Sequence, residues 1–257
     1  MPKKVPYLRE EQIERDAAAL LAEYAQARNV VIAPPIPIED IVEKHLKLGI
    51  EFDDMHRLLR VPRSGAGLDP DILGVIWFDD RRIVIDESLD PDENPSKEGR
   101  YRFTLAHEGG GHWRLHRHLF IKDPAQGALF DGPATPSIIC RSSQAKKREE
   151  WQADFYASCL LMPRKLVLAV WDEMFPERRV HIMDRSRRSE IATLSDQEER
   201  KFEQNVEEWE NGQAMDDFAR PLAYRFLVSP QAMRIRLENL GLLHREDPQQ
   251  LFLVNGP

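Results

Sequence analysis

His107, Glu108 and His112 stand within six positions of one another in the stretch RFTLAHEGGGHWRLHRH, from Arg102 to His118. Two imidazoles and a carboxylate this close are the parts of a metal-hydrolase centre. The histidines would hold a divalent metal, and the carboxylate would take a proton from water activated there. The usual spacing for that chemistry is H-E-x-x-H. Here it is H-E-G-G-G-H, one residue longer.

The extra residue has a geometric consequence. An α-helix turns about 100° per residue, so residues four apart lie about 40° from each other and residues five apart about 140°. From a regular α-helix, His107 and His112 cannot both reach one metal. A π-bulge would absorb one residue, and such bulges occur at functional sites. Gly109, Gly110 and Gly111 have poor helix propensity and tolerate unusual backbone angles, so they could permit one. An H-E-x-x-x-H spacing also has precedent among metallopeptidases. A competing arrangement pairs His112 with His116, four residues on, on a stripe shared with Glu108. A third possibility is a degenerate site that binds no metal.

A further protein ligand is needed in any such site. In EWQADFYASCLLMP, from Glu150 to Pro163, a helical stripe runs through Glu150, Ala153, Asp154, Ala157, Leu160 and Leu161. Glu150 falls on the face that otherwise reads as buried. A carboxylate there is costly unless it ligates a metal or pairs with an Arg or Lys. Asp154 shares the face and could orient a ligating histidine.

Together the two stretches resemble the ImmA/IrrE metallopeptidases. That family carries an RFTLAHE-G-H-L-H helix followed by E-x-x-A-N/D-x-F-A-x-x-LLMP. Arg102 to Ala106 match the lead, and His107 and Glu108 the first ligand and the base. His112 with Trp113, Leu115 and His116 matches the second ligand and its downstream context. Glu150, Ala153, Asp154, Ala157 and Leu160 to Pro163 match the second helix. The added glycine departs from the family pattern, and the connection between the two helices is long for it.

The resemblance implies a zincin-like metallopeptidase core, with His107, His112 and Glu150 as metal ligands and Glu108 as general base. It implies Zn2+ as the metal, with Mn2+ as the alternative. It also implies a protein substrate: a partner transcriptional repressor, cut during a stress, phage or mobile-element response.

The rest of the chain is compatible with that expectation. Its 257 residues are 42% hydrophobic and 31% charged, the composition of a soluble globular protein. No apolar run approaches the ~20 residues that span a bilayer. MPKKVPYLREEQ at the start lacks the apolar region of a secretory signal. Cys140 and Cys159 form no CxxC pair, which argues against a disulfide framework or a cysteine zinc site, and Cys159 reads as a small buried residue. These features predict a cytoplasmic protein without membrane association. A net charge of −8 is not a global nucleic-acid footprint.

The predicted fold class is α+β, mainly helical with a small sheet. Residues 1–175 would form the peptidase core and 176–257 a helical C-terminal region. Glu10 to Arg28 reads as a helix burying Ile13, Ala17, Leu20, Leu21 and Tyr24. Pro37 to Leu46 reads as a second, with His45 a packing or surface residue. Ile50 to Phe52 reads as a strand. GVIWFDDRRIVID, from Gly74, reads as a hairpin turning at Asp79 to Arg81. Its first strand, near Val75 to Phe78, could receive an extended peptide as an added strand. Residues 122–144 read as an irregular insertion, either a lid or disordered. Ser195 with Glu198 would cap a helix carrying Phe202, Val206 and Trp209.

In the C-terminal region, residues 222–243 read as a helix-turn-helix-like pair. Ser229 would be the N-cap and Pro230 the first helical residue, with Ala232, Met233, Leu237 and Leu240 facing inward. Arg225, Arg234, Arg236 and Arg245 make the stretch locally basic. DNA contact through residues 222–245 is one reading; helices packed beside a peptidase core are the favoured one. A DNA-binding or protein-binding regulator on a non-catalytic peptidase fold is the alternative function.

Overall fold

The computed structural model describes residues 5–61, 72–120, 138–141, 147–176, 181–183 and 197–245, with side chains described for all of these except 138–141, 181–183, 197–211 and 245. The chain divides into two compact units. The first is Met1–Pro163 with Phe226–Val228; the second is Arg164–Arg225 with Ser229–Pro257.

In the first unit, α1 (Glu10–Arg28) buries the predicted stripe of Ile13, Ala17, Leu20, Leu21 and Tyr24 and ends on Asn29 in the left-handed region. A short helical segment follows: α2 (Ile38–Asp40), then a π turn over Ile41–His45. Next come β1 (Gly49–Asp53), α3 (Met55–Leu59), β2 (Ile72–Trp77) and β3 (Arg82–Asp86). The Asp54 side chain caps α3 by accepting from the amides of His56 and Arg57. The predicted hairpin is present, and its turn closes on Arg81 with φ 52°.

The sheet order is β1-β3-β2-β4, with β4 covering Ile138–Arg141. β1 runs parallel to β3; β2 is antiparallel to both β3 and β4. Two expectations are corrected here. β2 is hydrogen-bonded on both sides, so its backbone has no open edge to receive a peptide. Part of the insertion at 122–144 is a sheet strand, not an irregular segment, because Ile138 to Arg141 satisfy the second side of β2. Residues 122–137 and 142–144 lie outside the described residues.

Both faces of the hairpin are covered, so β2 and β3 are buried nearly continuously and do not alternate. Val75, Trp77 and Val84 pack with Met55 and Ile72 on one side. A register shift between Ile72 and Gly74 lets Ile72 and Val75 share that face despite their odd separation. Gly74 and Ile83 lie on the other side, toward the helix that carries the histidines.

That helix begins as α4 (Glu98–Leu105), becomes π-helical over Ala106–His116, and ends as α5 (Arg117–Phe120). It packs against α6 (Arg148–Leu161). The extra residue is therefore absorbed by an extended π register spanning the whole motif, longer than a single bulge.

The three glycines contribute by their lack of volume. A Cβ on Gly109 would lie 2.7 Å from Val42 and 3.2 Å from Ile83; one on Gly110 would lie 2.9 Å from Leu160 and 3.1 Å from Tyr156. On Gly111 it would meet the Ala153 Cα at 2.6 Å. None of the three has a positive φ. The expectation that they supply unusual backbone angles is replaced by close approach on three sides.

In the second unit, α7 (Arg164–Met174) buries Val167, Val170 and Trp171. β5 (His181–Met183) pairs in parallel with β6 (Leu243–Arg245). α8 (Gln197–Phe226) runs as one helix through both the stretch expected as a helix after Ser195 and the first member of the pair expected at 222–243, and α9 (Pro230–Asn239) is the second member. Ser229 caps α9, its Oγ accepting from the Ala232 amide at 3.1 Å. Met233 and Leu237 are buried, while Ala232 and Leu240 are only half-buried. Ser195, proposed as a cap, lies outside the described residues, and the side chains of Phe202, Val206 and Trp209 are not described. Among the described residues no helix is long and apolar enough to cross a membrane.

Gly111→Ala should destabilise the protein by about 1–3 kcal/mol, because overpacking falls on backbone that cannot rotate away. Gly212→Ala is the control. It lies in α8 with nothing within 4 Å of its added Cβ, and should be neutral or stabilise by about 0.4–1 kcal/mol. Denaturant unfolding measures both; equal effects would remove the packing role of Gly111.

Candidate metal centre

A π-helix closes its backbone bonds from residue i to i+5, so residues five apart come one turn apart. This brings the rings of His107 and His112 to 4.6 Å between centroids, nearly perpendicular at 81°. His107, Glu108 and His112 are all buried and offer ligand atoms within 4.8 Å of one another. This buried group could hold a metal ion.

Glu150 reaches the same point from α6. Its Oε2 is 3.3 Å from His107 Nε2 and its Oε1 3.7 Å from His112 Nε2, so one carboxylate faces both ring nitrogens. The structure thus brings together all four residues singled out in the sequence. The salt-bridge alternative for Glu150 is answered by its neighbours, which are imidazoles. Asp154 lies behind His107, whose Nδ1 donates to its Oδ1 at 2.9 Å. A carboxylate only accepts, so that bond places the His107 proton on Nδ1 and turns Nε2 toward Glu150.

Among the described residues, His116 lies outside the group that could hold an ion. Its Nδ1 lies 2.9 Å from His112 Nδ1, on the far side of that ring, and its Nε2 lies 2.9 Å from Gln152 Oε1. Both its nitrogens are taken up. The sequence reading missed Gln152 altogether. Its signal was available: a polar residue beside the apolar stripe of α6, fully buried in the fold.

Electrostatics follow from burial. Both Glu108 oxygens are buried without a hydrogen-bond partner. Burial, with the charges of Glu150 and Asp154 adding to it and that of His107 opposing, pushes the Glu108 carboxyl up to about 8. Burial pulls His112 down to about 3 against the opposing pull of Glu150, so its ring is neutral. His116 is also pulled down by burial. Burial alone would raise Glu150, but the imidazoles of His107 and His112 outweigh it and hold the carboxyl well below its usual range. An ionised carboxylate and two ring nitrogens converging on one point make a place that a cation would satisfy. Two imidazole nitrogens and a carboxylate are the donor set of a catalytic zinc site, so the residues fit a divalent metal.

Other bonds seat the two helices. Arg114 donates to Asp16 at 3.0 Å and to Glu23 at 3.0 and 3.2 Å, and Tyr156 Oη donates to Asp16 at 3.0 Å. Both the π segment and α6 are thereby tied to α1. Arg102, from the matched lead, is buried and donates to the carbonyls of Ile36 and Leu227.

The arginines of the C-terminal pair are engaged within the protein. Arg236 is 1% exposed. Arg234 donates to Asp216 at 2.6 Å and Glu238 at 3.1 Å, and Arg225 donates to Glu173 at 2.9 Å. The side chain of Arg245 is not described.

A scan against protein-family models and a search of curated proteins found no match to the chain.

Glu108 gives a pH prediction for chelator-stripped protein. Its folded-state value, about 8, lies above its ordinary 4.5. Its contribution to stability is therefore present in full below the ordinary value and lost as pH rises through the folded one. His112, displaced downward from 6.5, acts only in the acid window. Between pH 6.5 and 9 the Tm of the stripped wild type should fall, and Glu108→Gln should flatten that fall. Parallel profiles would show that Glu108 is not held protonated by burial.

Proposed function

We propose that this chain is a metal-dependent endopeptidase of the ImmA/IrrE kind, built on a zincin-like core and using zinc, with manganese as the alternative metal. One observation carries the reading. Nε2 of His107 and Nε2 of His112 face the same Glu150 carboxylate, with Glu108 buried beside them. The matched motifs, RFTLAHE with its downstream histidines and E-x-x-A-D ending in LLMP, support it independently.

His107, His112 and Glu150 would hold the cation. When bound, it supplies Lewis acidity toward water and toward the scissile carbonyl. Glu108 accepts a proton from the attacking water and delivers it to the leaving amine. A carboxyl whose proton affinity is raised toward neutrality suits that exchange, because it both takes and returns a proton near pH 7. Asp154 holds His107 in the tautomer that faces the cation. The substrate class that goes with the resemblance is a protein, a partner transcriptional repressor in a stress, phage or mobile-element response.

Elemental mass spectrometry of the purified protein should find near-stoichiometric zinc or manganese, retained in Glu108→Gln and lost in His107→Ala. Cleavage of an unbiased peptide pool should fall about 10²–10⁴-fold in Glu108→Gln, the usual share of general acid–base catalysis. Cleavage at wild-type rate by that variant would remove Glu108 as the base. Absence of metal after attempted reloading would favour a regulator on a non-catalytic peptidase fold.

A further inference from the structure

Behind the candidate metal centre runs a buried chain of polar groups that the hydrolytic reading does not use. His112 Nδ1 meets His116 Nδ1 at 2.9 Å, His116 Nε2 meets Gln152 Oε1 at 2.9 Å, and Gln152 Nε2 meets the Pro6 carbonyl at 2.8 Å. His112, His116 and Gln152 are each no more than 1% exposed. At this depth a wrong proton placement would leave a buried donor or acceptor facing a like group.

The direction of the chain is decided at its far end. A carbonyl oxygen only accepts, so Pro6 requires the amide nitrogen of Gln152 on its side. The Gln152 oxygen then faces His116 and must accept, which puts a proton on His116 Nε2. In a neutral imidazole the other nitrogen is then an acceptor. His116 Nδ1 therefore accepts, and His112 Nδ1 must donate. This leaves His112 with an unprotonated Nε2, 3.7 Å from Glu150 Oε1 and without a hydrogen-bond donor.

We propose that His116 and Gln152 are positioning residues that fix the ring and the tautomer of His112, so that its Nε2 lone pair faces the cation site before any cation arrives. The proposal rests on the metal-centre reading given above and deepens it. Asp154 does the same for His107 directly, through one bond to a carboxylate. His112 is served by a relay of neutral groups, anchored on backbone of the N-terminal segment. That difference suits the site. The carboxylates of Glu150 and Asp154 already face the two rings, and a neutral relay orients His112 without adding another negative charge.

In the π register the ring of His112 meets that of His107 edge-on, at 81°, and His116 lies four residues later behind it. The ring centroids of His112 and His116 are 5.2 Å apart and the ring planes are inclined at 48°. Gln152 comes from α6, two residues from Glu150, so one helix supplies both the carboxylate in front of His112 and the acceptor that sets the relay behind it.

Imidazole nitrogen NMR on protein labelled at histidine tests this without reference to activity. In chelator-stripped wild type at neutral pH, His112 should be the Nδ1–H tautomer. In His116→Phe it should move toward Nε2–H. Gln152→Leu should do the same although the substituted side chain makes no bond to His112, because His116 becomes free to place its proton on Nδ1. Zinc affinity, measured by competition with a chromophoric chelator, should fall about 10–100-fold in both variants. Gln152→Glu keeps an acceptor for His116 and should retain the Nδ1–H tautomer at His112. Unchanged tautomer and affinity in both apolar variants would overturn the relay. A loss of affinity with the tautomer unchanged would also overturn it, since that is the signature of packing alone. Wild-type protein that binds no zinc would sink the peptidase reading, while the metal-free tautomer shift would still decide the relay.

Discussion

Backbone hydrogen bonds that close on the fifth residue, over Ala106–His116, are the constraint on which the candidate site depends. In an α-helix the two imidazoles would point to different sides and Glu150 could serve only one. The π register turns them to the same side, but it gains nothing in intrinsic stability over an α-helix, so its surroundings must hold it. They do so by contact at the three glycines. Gly109 seats against Val42 and Ile83, Gly110 against Tyr156 and Leu160, and Gly111 against the backbone of Ala153. A side chain at any of these positions would lift the segment from the sheet or from α6, and the ring nitrogens would move with it. The glycines and Ala153 thus set the distance between the π segment and α6.

The second consequence is electrostatic. Bringing the helices together buries Glu108 fully and places Glu150 and Asp154 beside two imidazoles. Such a group of acceptors is costly without compensation. A cation would resolve the convergence in front of the rings; the hydrogen bonds to Asp154 and His116 resolve it behind them. Outside this layer, Arg114 and Tyr156 both meet Asp16 of α1, which ties the first helix of the chain to the two that carry the site. The ordered contacts around the site therefore come from segments far apart in sequence. Pro6, Asp16, Val42, Gly74 and Ile83 each touch the π segment or α6 directly or through one side chain.

Local patterning carried much of the architecture. The stripe of α1, the hairpin with its turn at Arg81, the helix bearing Glu150 and the Ser229-capped α9 were all legible, because each is set by periodicity or capping within a few residues. His107, Glu108, His112 and Glu150 were legible as a group because their chemistry is costly anywhere else. The glycines were read for the wrong property. Their spacing signals backbone freedom in isolation, whereas they provide absence of volume against partners that no local pattern names. The place of β2 was misread for the same reason. Whether a strand has an open edge depends on a segment more than sixty residues away, Ile138–Arg141, whose neighbourhood reads as loop.

Sequence alone determined which metal-ligating residue types stand close together and which short segments become helix or strand, since both depend on side-chain type and near neighbours. Tertiary structure decided the helical register between Glu108 and His112, the place of His116 behind His112 and the inner position of β2. It also decided that Arg236 is buried and Arg234 bound to Asp216 and Glu238, in a stretch whose composition alone suggested a basic surface. Each of these turns on long-range contact. A π register and an α register differ little in local preference, so packing against α6 and the sheet selects between them. A histidine four residues past a ligand can lie in front of it or behind it, and only the place of Gln152 on the facing helix tells which.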